Sequence, residues 1–267
     1  MQGKFKRIVE NFLFSIPRFY STFYRSRGNW NLDKYIFLSL VRPGYIVVDG
    51  GANIGDYTQI FSRIVGASGQ VLSFELAPPT LEKLKSNIQS WRLLNVKTFS
   101  CALSNKNEQA IIQLPGGVSG YASLSSHTEA WGDSPVESFN VETCRLDDFA
   151  QFSFDRLDFM KLDLEGAEPL AVEGASSILS RFLPSLHVEF SPLFMKDFDY
   201  GIEEFLDKLS DIGYDTLIGF TDRETPPVII DREMRESGNI EAGGYTLVCL
   251  NNNKHTSEIS LIIRPIA

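Results

Sequence analysis

The sequence predicts an α/β fold: a mostly parallel seven-stranded sheet with an antiparallel edge strand and helices on both faces. Three observations lead there. From Tyr45 onward, short apolar runs alternate with helical patterns, the rhythm of a parallel sheet covered on both sides. The first run passes into a glycine-rich turn, Asp49-Gly50-Gly51-Ala52-Asn53-Ile54-Gly55, that opens a helix. The 267 residues are 43% apolar with no low-complexity tract, enough for one large core.

Strands are expected at 45–49, 70–75, 96–102, 157–163, 185–190, 215–220 and 244–250, each an apolar strand-like run. Between them, Tyr57, Ile60, Phe61, Ile64 and Val65 fall on one helical face. Leu81, Leu84, Ile88 and Trp91 mark a second, and Ile202, Phe205, Leu206, Leu209 and Ile212 a third. Pro78-Pro79-Thr80 suits a helix start with Thr80 as N-cap. The link before the last strand is too short for a crossover helix unless 231–238 supply one, so that strand is expected antiparallel at the edge. Residues 105–150 break the rhythm: strand-like 110–114 and 139–144 flank a polar middle, a hairpin-like insertion where a substrate lid could sit.

Residues 45–267 thus read as one Rossmann-like domain, and 1–44 as a basic, amphipathic helical extension. Phe5, Ile8, Val9, Phe12, Leu13 and Ile16 share a helix face, with Lys4, Lys6, Arg7 and Glu10 largely opposite and Pro17 as its limit. Such a helix packs on the domain or on a second copy of the chain, or lies peripherally on an anionic membrane.

Charge narrows the partners. The chain carries 25 basic and 34 acidic residues; residues 1–28 hold six of the basic ones against one acid, leaving 19 basic and 33 acidic in the body. Such a body repels polyanions, so a nucleic-acid partner is not expected and a small-molecule or carbohydrate acceptor is. No apolar run reaches the ~20 residues of a membrane span. Cys101, Cys144 and Cys249 lie far apart without metal-ligand spacing, which suits a reducing compartment. With no secretory-signal pattern, a cytoplasmic location is expected, membrane-peripheral if the N-terminal helix binds lipid.

The turn carries the chemistry. Its glycines let the backbone approach a ligand, and the helix N-terminus behind it offers unpaired N–H groups. Asp49 at the strand's mouth would repel a dinucleotide pyrophosphate but attract the α-ammonium of S-adenosylmethionine, and Ala52 stands where the dinucleotide fingerprint needs its second glycine. The expected cofactor residues are Asp49, Gly50, Gly51, Ala52, Asn53, Gly55, Tyr57 and Thr58, with Glu75 on the ribose hydroxyls and Ala102 by the adenine. A nicotinamide-dependent oxidoreductase would share Glu75 but lack Asp49. A catalytically silent adaptor on the same scaffold would have lost such residues.

Asp163 and Glu165 alternate at the C-terminal end of the strand expected beside the first, where open α/β sheets hold their ligands. His187 and Glu189 point to one side of the next strand. Together they make a candidate catalytic cluster, acting as a base or through a divalent cation such as Mg²⁺. The plainer alternative is that Glu165-Gly166 turns the chain and His187 is a core histidine.

With these residues in view, the sequence resembles the FkbM family of methyltransferases. The resemblance is carried by Val48 to Thr58, Phe74-Glu75-Leu76-Ala77-Pro78, Ala102-Leu103-Ser104 and Leu146-Asp147-Asp148. Its most distinctive stretch is Leu157-Asp158-Phe159-Met160-Lys161-Leu162-Asp163-Leu164-Glu165-Gly166-Ala167-Glu168. The family often has Asn where Ala77 stands. The resemblance implies a class I, Rossmann-like methyltransferase acting on a hydroxyl of a sugar, glycolipid or natural product. Consistent with oxygen as acceptor, the turn reads Asp163-Leu164-Glu165-Gly166 and lacks the Pro-Pro-aromatic sequence of many amino-directed enzymes.

Overall fold

A computed structural model of the protein describes residues 31–115, 124, 136–150, 152–220, 227–236 and 245–263. The strands are β1 (Ile46–Gly50), β2 (Gln70–Phe74), β3 (Val96–Phe99), β4 (Ala102–Leu103), β5 (Gln109–Pro115), β6 (Val136–Cys144), β7 (Phe159–Asp163), β8 (Ser185–Phe190), β9 (Thr216–Phe220), β10 (Val228–Ile229) and β11 (Tyr245–Leu250). The helices are α1 (Leu32–Leu40), α2 (Asp56–Val65), α3 (Pro78–Trp91), α4 (Glu168–Gly174), α5 (Ser176–Phe182), α6 (Pro192–Met195), α7 (Ile202–Ile212), α8 (Arg232–Glu236) and α9 (Thr256–Ile263).

The main sheet runs β3-β2-β1-β7-β8-β11-β9-β10, with parallel pairing from β3 through β8. It has eight strands where seven were expected, because two-residue β10 adds an antiparallel edge. The last strand is antiparallel as expected, but it is not the edge: β11 is wedged between β8 and β9 and pairs with both. Edge placement would leave its apolar run half-covered, whereas between neighbours Leu247, Val248, Cys249 and Leu250 are all fully buried.

Alternation of side chains along the strands divides the core in two. Val48, Leu72, Met160, Leu162, Leu186 and Val188 face α4, α5 and α7, meeting Ala171, Leu179, Phe205 and Leu209. Val47, Val71, Phe159 and Val248 face the other way, toward Phe37 of α1, Phe61 of α2 and Ile262 of α9. α1 and Val41, assigned to the extension by sequence, therefore sit in the same core: Phe37 is fully buried and meets the rings of Phe61 and Phe159 edge-on. The amphipathic face at 5–16 and the basic stretch 1–28 lie outside the described residues. Among those described, no helix is long and apolar enough to cross a membrane.

The insertion does form a hairpin pair, β5 antiparallel to β6, and β4 joins β6 in parallel to complete a small second sheet. The lid expected in its polar middle falls almost wholly outside the described residues. Where the insertion returns, Asp147 accepts the Ser177 and Ile178 N–H groups and so caps α5. Cys101 and Cys144 are joined in a disulfide between the end of β3 and the end of β6. Their separation of 43 residues hid this pairing. It corrects the expectation of isolated thiols, and cysteine usage no longer argues for a reducing compartment. Cys249 alone of the chain's cysteines is free, and it is buried.

If α1 belongs to the core, Phe37→Ala should cost about 3–5 kcal/mol in urea unfolding. Leu94→Ala, at a side chain 97% exposed, should change stability by less than about 0.5 kcal/mol. A Phe37→Ala cost under about 1 kcal/mol would remove α1 from the core.

Candidate active site

The parallel register sets five side chains in one row: Ser73, Asp49, Lys161, His187 and Val248, on β2, β1, β7, β8 and β11. They share the face covered by α1 and α2. One residue pair further along, Asp163 stands opposite Glu189. Sequence alternation had placed Asp163, His187 and Glu189 near one another; the register adds Asp49 and Lys161.

The turn after β1 is built by close approach. Gly51 has φ +73°, and a Cβ there would lie 1.9 Å from the Asp163 carbonyl oxygen. Gly50 is hemmed by Leu103 and Leu162, each 3.0 Å from where its Cβ would be. Gly55 caps α2 at φ 95° with Leu84 close by. The N–H groups of Gly51 and Ala52 go to the Phe74 carbonyl at 3.1 and 2.9 Å, tying the turn to β2.

Asp49 is fully buried. Its Oδ2 accepts the Thr58 hydroxyl at 2.5 Å, and Oδ1 has no hydrogen-bond partner. Burial pushes this carboxyl above its usual range, with the Lys161 ammonium the main opposing influence. Thr58 thus holds Asp49 rather than facing open space. Tyr57 likewise donates its hydroxyl to Asp33 Oδ2 at 2.8 Å, and its ring lies 5.3 Å from Lys161 Nζ.

Glu75 follows β2 and is 4% exposed. It accepts the Asn53 N–H on Oε2 at 2.8 Å and the Ala77 N–H on Oε1 at 2.9 Å. Asn53 takes a left-handed φ of 49° there, and Ala77 precedes α3, so Glu75 clamps the turn to that helix. Thr80, expected as the N-cap, lies inside the first turn of α3, and its buried hydroxyl is unpaired. Burial outweighs both N–H groups and pushes the Glu75 carboxyl up to about 7. Ala102, on β4 of the small sheet, is buried with Leu76, Ala77 and Ile112.

Lys161 is 1% exposed and donates to Asp163 Oδ2 at 3.0 Å. Glu165, at a left-handed φ of 52°, begins the return toward α4, and burial beside Asp163 and Glu189 pushes its carboxyl up to about 8. Glu168 behind it is fully buried; its Oε1 takes the Leu164 N–H at 2.6 Å, and burial pushes it up to about 8 as well. His187 is 1% exposed, edge-on to Phe37 at 4.8 Å. Its Nε2 lies 3.4 Å from Asp33 Oδ1 but is not aligned as a hydrogen bond. Burial would raise the Asp33 carboxyl, but His187, Tyr57 and Lys161 together lower it.

A cavity of about 600 Å³ opens over the turn, lined by Gly51, Ala52, Asn53, Tyr57, Lys161 and Asp163, with Asn31 and Lys34 at the α1 side. Of the site residues expected from sequence, Asp49, Gly50, Gly55, Thr58, Glu75, Ala102, Glu165, His187 and Glu189 do not line it. A second cavity of about 750 Å³ sits beside Tyr214 and Arg235, and none of the residues of this cluster lines it. Among the described residues no three His, Cys, Asp or Glu side chains are placed to share a metal ion. Asp33 and Lys161 were missed by the sequence reading. Asp33 lies outside the motif stretches, and Lys161 sits within one as an apparently interior strand residue.

Carboxyls raised on folding bind protons more tightly in the folded chain, so they stabilise it below the unfolded value of 4.5 and that contribution is lost as pH rises through about 7 to 8. Urea midpoints of the ligand-free protein should therefore fall between about pH 5 and pH 9, each raised unit being worth about 1.4 kcal/mol. Glu168→Gln should flatten the slope. A midpoint that rises across this window would contradict the burial of these acids.

The Methyltransferase FkbM domain matches residues 49–216. A solved FkbM methyltransferase from Methylobacillus flagellatus KT is 16% identical, with a TM-score of 0.46 over 81% of this chain and 53% of that one, so the chain spans about half its length. An S-adenosylmethionine-dependent O-methyltransferase from Thermotoga maritima is 14% identical, with a TM-score of 0.44 over 82% of this chain and 63% of that one. Fibrillarin from Aeropyrum pernix, solved with natively bound S-adenosylmethionine, is 12% identical, with a TM-score of 0.43 over 79% and 68%. On the domain match, which takes in both the glycine turn and the Asp163 strand, the chain belongs to the FkbM family of S-adenosylmethionine-dependent methyltransferases.

Proposed function

We propose that the chain methylates a hydroxyl of a small-molecule or carbohydrate acceptor, with S-adenosylmethionine as donor. The observation that carries this reading is the shared cavity: the glycine turn and the Asp163 carboxylate line one space, and Lys161 holds that carboxylate at 3.0 Å. One feature fits the donor: Asp49 Oδ1 is a buried carboxylate oxygen lacking a partner, suited to an α-ammonium. Gly51, whose backbone touches Asp163 too closely for any side chain, sets the turn beside the end of β7.

The donor supplies an electrophilic methyl group on a sulfonium. The protein's part is to hold a hydroxyl in line with it and to take up the proton as the oxygen attacks. Asp163, beside a fixed ammonium, suits the acceptor of that proton. Glu165, raised to about 8, keeps its own proton near neutrality and donates a hydrogen bond instead. Glu75, clamped by two N–H groups, is suited to setting the turn's shape and to presenting its remaining lone pairs to the ribose. The basic residues 1–28 supply a contact with a second copy or with an anionic membrane surface.

Release of S-adenosylhomocysteine across a panel of sugar, glycolipid and natural-product alcohols tests the reading. Asp163→Asn should lower turnover roughly 10²–10⁴-fold while the variant still binds the donor. EDTA should leave turnover unchanged, because Asp163 is already paired with Lys161. Wild-type turnover by Asp163→Asn on a verified acceptor would sink the role of Asp163. Glu75→Gln, which keeps one acceptor oxygen, should weaken donor binding by about 1–3 kcal/mol in calorimetry; unchanged affinity would take Glu75 out of the site.

A further inference from the structure

We infer that Lys161 is a built-in cation of this site, a positioning residue that lets Asp49, beside it in the buried row, and Asp163, one residue pair further along and part-exposed, both stand ionised. The inference rests on the proposed roles of those two carboxylates toward donor and acceptor.

Lys161 interrupts a strand whose other members, Phe159, Met160 and Leu162, are fully buried apolar side chains. A lysine there would ordinarily run its stem outward and leave its ammonium in water. This one is 1% exposed and turns its Nζ onto Asp163. Charged groups face it from every neighbouring element: Asp49 on β1, Asp163 on its own strand, His187 and Glu189 on β8, Asp33 on α1, with the Tyr57 ring of α2 against Nζ. Lys161 supplies the permanent positive charge of this group; His187 is positive only when protonated.

Burial alone would strip the proton from the ammonium, but Asp163, Asp49 and Glu189 outweigh it and raise its affinity for that proton. Lys161 therefore acts as a fixed charge and not as the base. The reverse influence matters more. Burial and Asp163 both push the Asp49 carboxyl up, and Lys161 is the strongest influence pulling it down. Without the ammonium, neighbouring carboxylates in a low dielectric cannot all stay ionised. Asp49 would then take up a proton at a higher pH and lose the charge that draws in the donor's α-ammonium.

Calorimetric titration with S-adenosylhomocysteine tests this, using the full chain as wild type, Lys161→Met and Lys161→Met with Asp163→Asn. Lys161→Met should bind at least roughly tenfold more weakly than wild type at about pH 6, and within about threefold of it at about pH 9. The double variant removes one carboxylate together with the cation. It should return to within about threefold of wild type at both pH values. His187, Glu165 and Glu189 are retained in all three proteins. Loss of affinity by Lys161→Met to the same extent at every pH would mean that the lysine only fills space, and would overturn the inference. If Lys161→Met fails to fold and the double variant folds and binds, the charge balance is supported through stability. If neither folds, Lys161 serves packing and the inference fails. Wild-type protein that binds no S-adenosylhomocysteine at any pH would instead overturn the donor reading beneath it.

Discussion

Two opposite charges, Asp49 and Lys161, sit side by side in the middle of an apolar sheet, and the site is arranged around that pair. Neither reaches water, so each must be offset by the protein. Thr58 of α2 is spent on Asp49, and Asp163 on Lys161. The Tyr57 ring closes over the ammonium while its hydroxyl ties down Asp33 of α1. Left over in this row are Asp49 Oδ1 and both ring nitrogens of His187, buried polar atoms with no hydrogen-bond partner among the described residues. Native interiors leave few such atoms, and a ligand or an ordered water is what ordinarily completes them.

Backbone close approach does the complementary work. Gly51 lets the turn after β1 touch the Asp163 carbonyl, so the glycine turn and the end of β7 are in contact through main chain. Gly174 performs a similar service at the C-terminus of α4, where a Cβ would lie 1.9 Å from the Ser104 carbonyl oxygen. The second contact locks the helix after the acidic turn against the start of the insertion. Side-chain charge and glycine spacing thus hold the same geometry from two directions.

Most of the fold was legible because burial on both faces of a parallel sheet leaves long apolar runs between helical patterns. The β1, β7 and β8 runs and the glycine turn could be placed to within a residue or two from those patterns. What escaped was whatever depends on contacts between distant segments. The antiparallel direction of β11 followed from a short connection, but its insertion between β8 and β9 is decided by pairing. The Cys101–Cys144 disulfide needs the hairpin folded back against β3. Asp33 looked like part of an extension, because nothing local shows that α1 docks over the strand ends. Tyr57 and Thr58 were read as ligand contacts from their place after the turn; their hydroxyls hold Asp33 and Asp49, and Tyr57 also lines the cavity. Lys161 had a readable signal, a lysine centred in an otherwise apolar strand, and its meaning required the register that brings Asp49 beside it.

Asp49 as partner of the donor's α-ammonium is the link on which the rest turns, and it can be tested without knowing the acceptor. The measurement is the calorimetric affinity of wild-type protein for S-adenosylhomocysteine against its analogue lacking the α-amino group. A charge-assisted contact to a buried carboxylate should make the analogue bind roughly 10- to 100-fold more weakly. Equal affinities would contradict the role of Asp49, and with it the placement of the donor over the glycine turn.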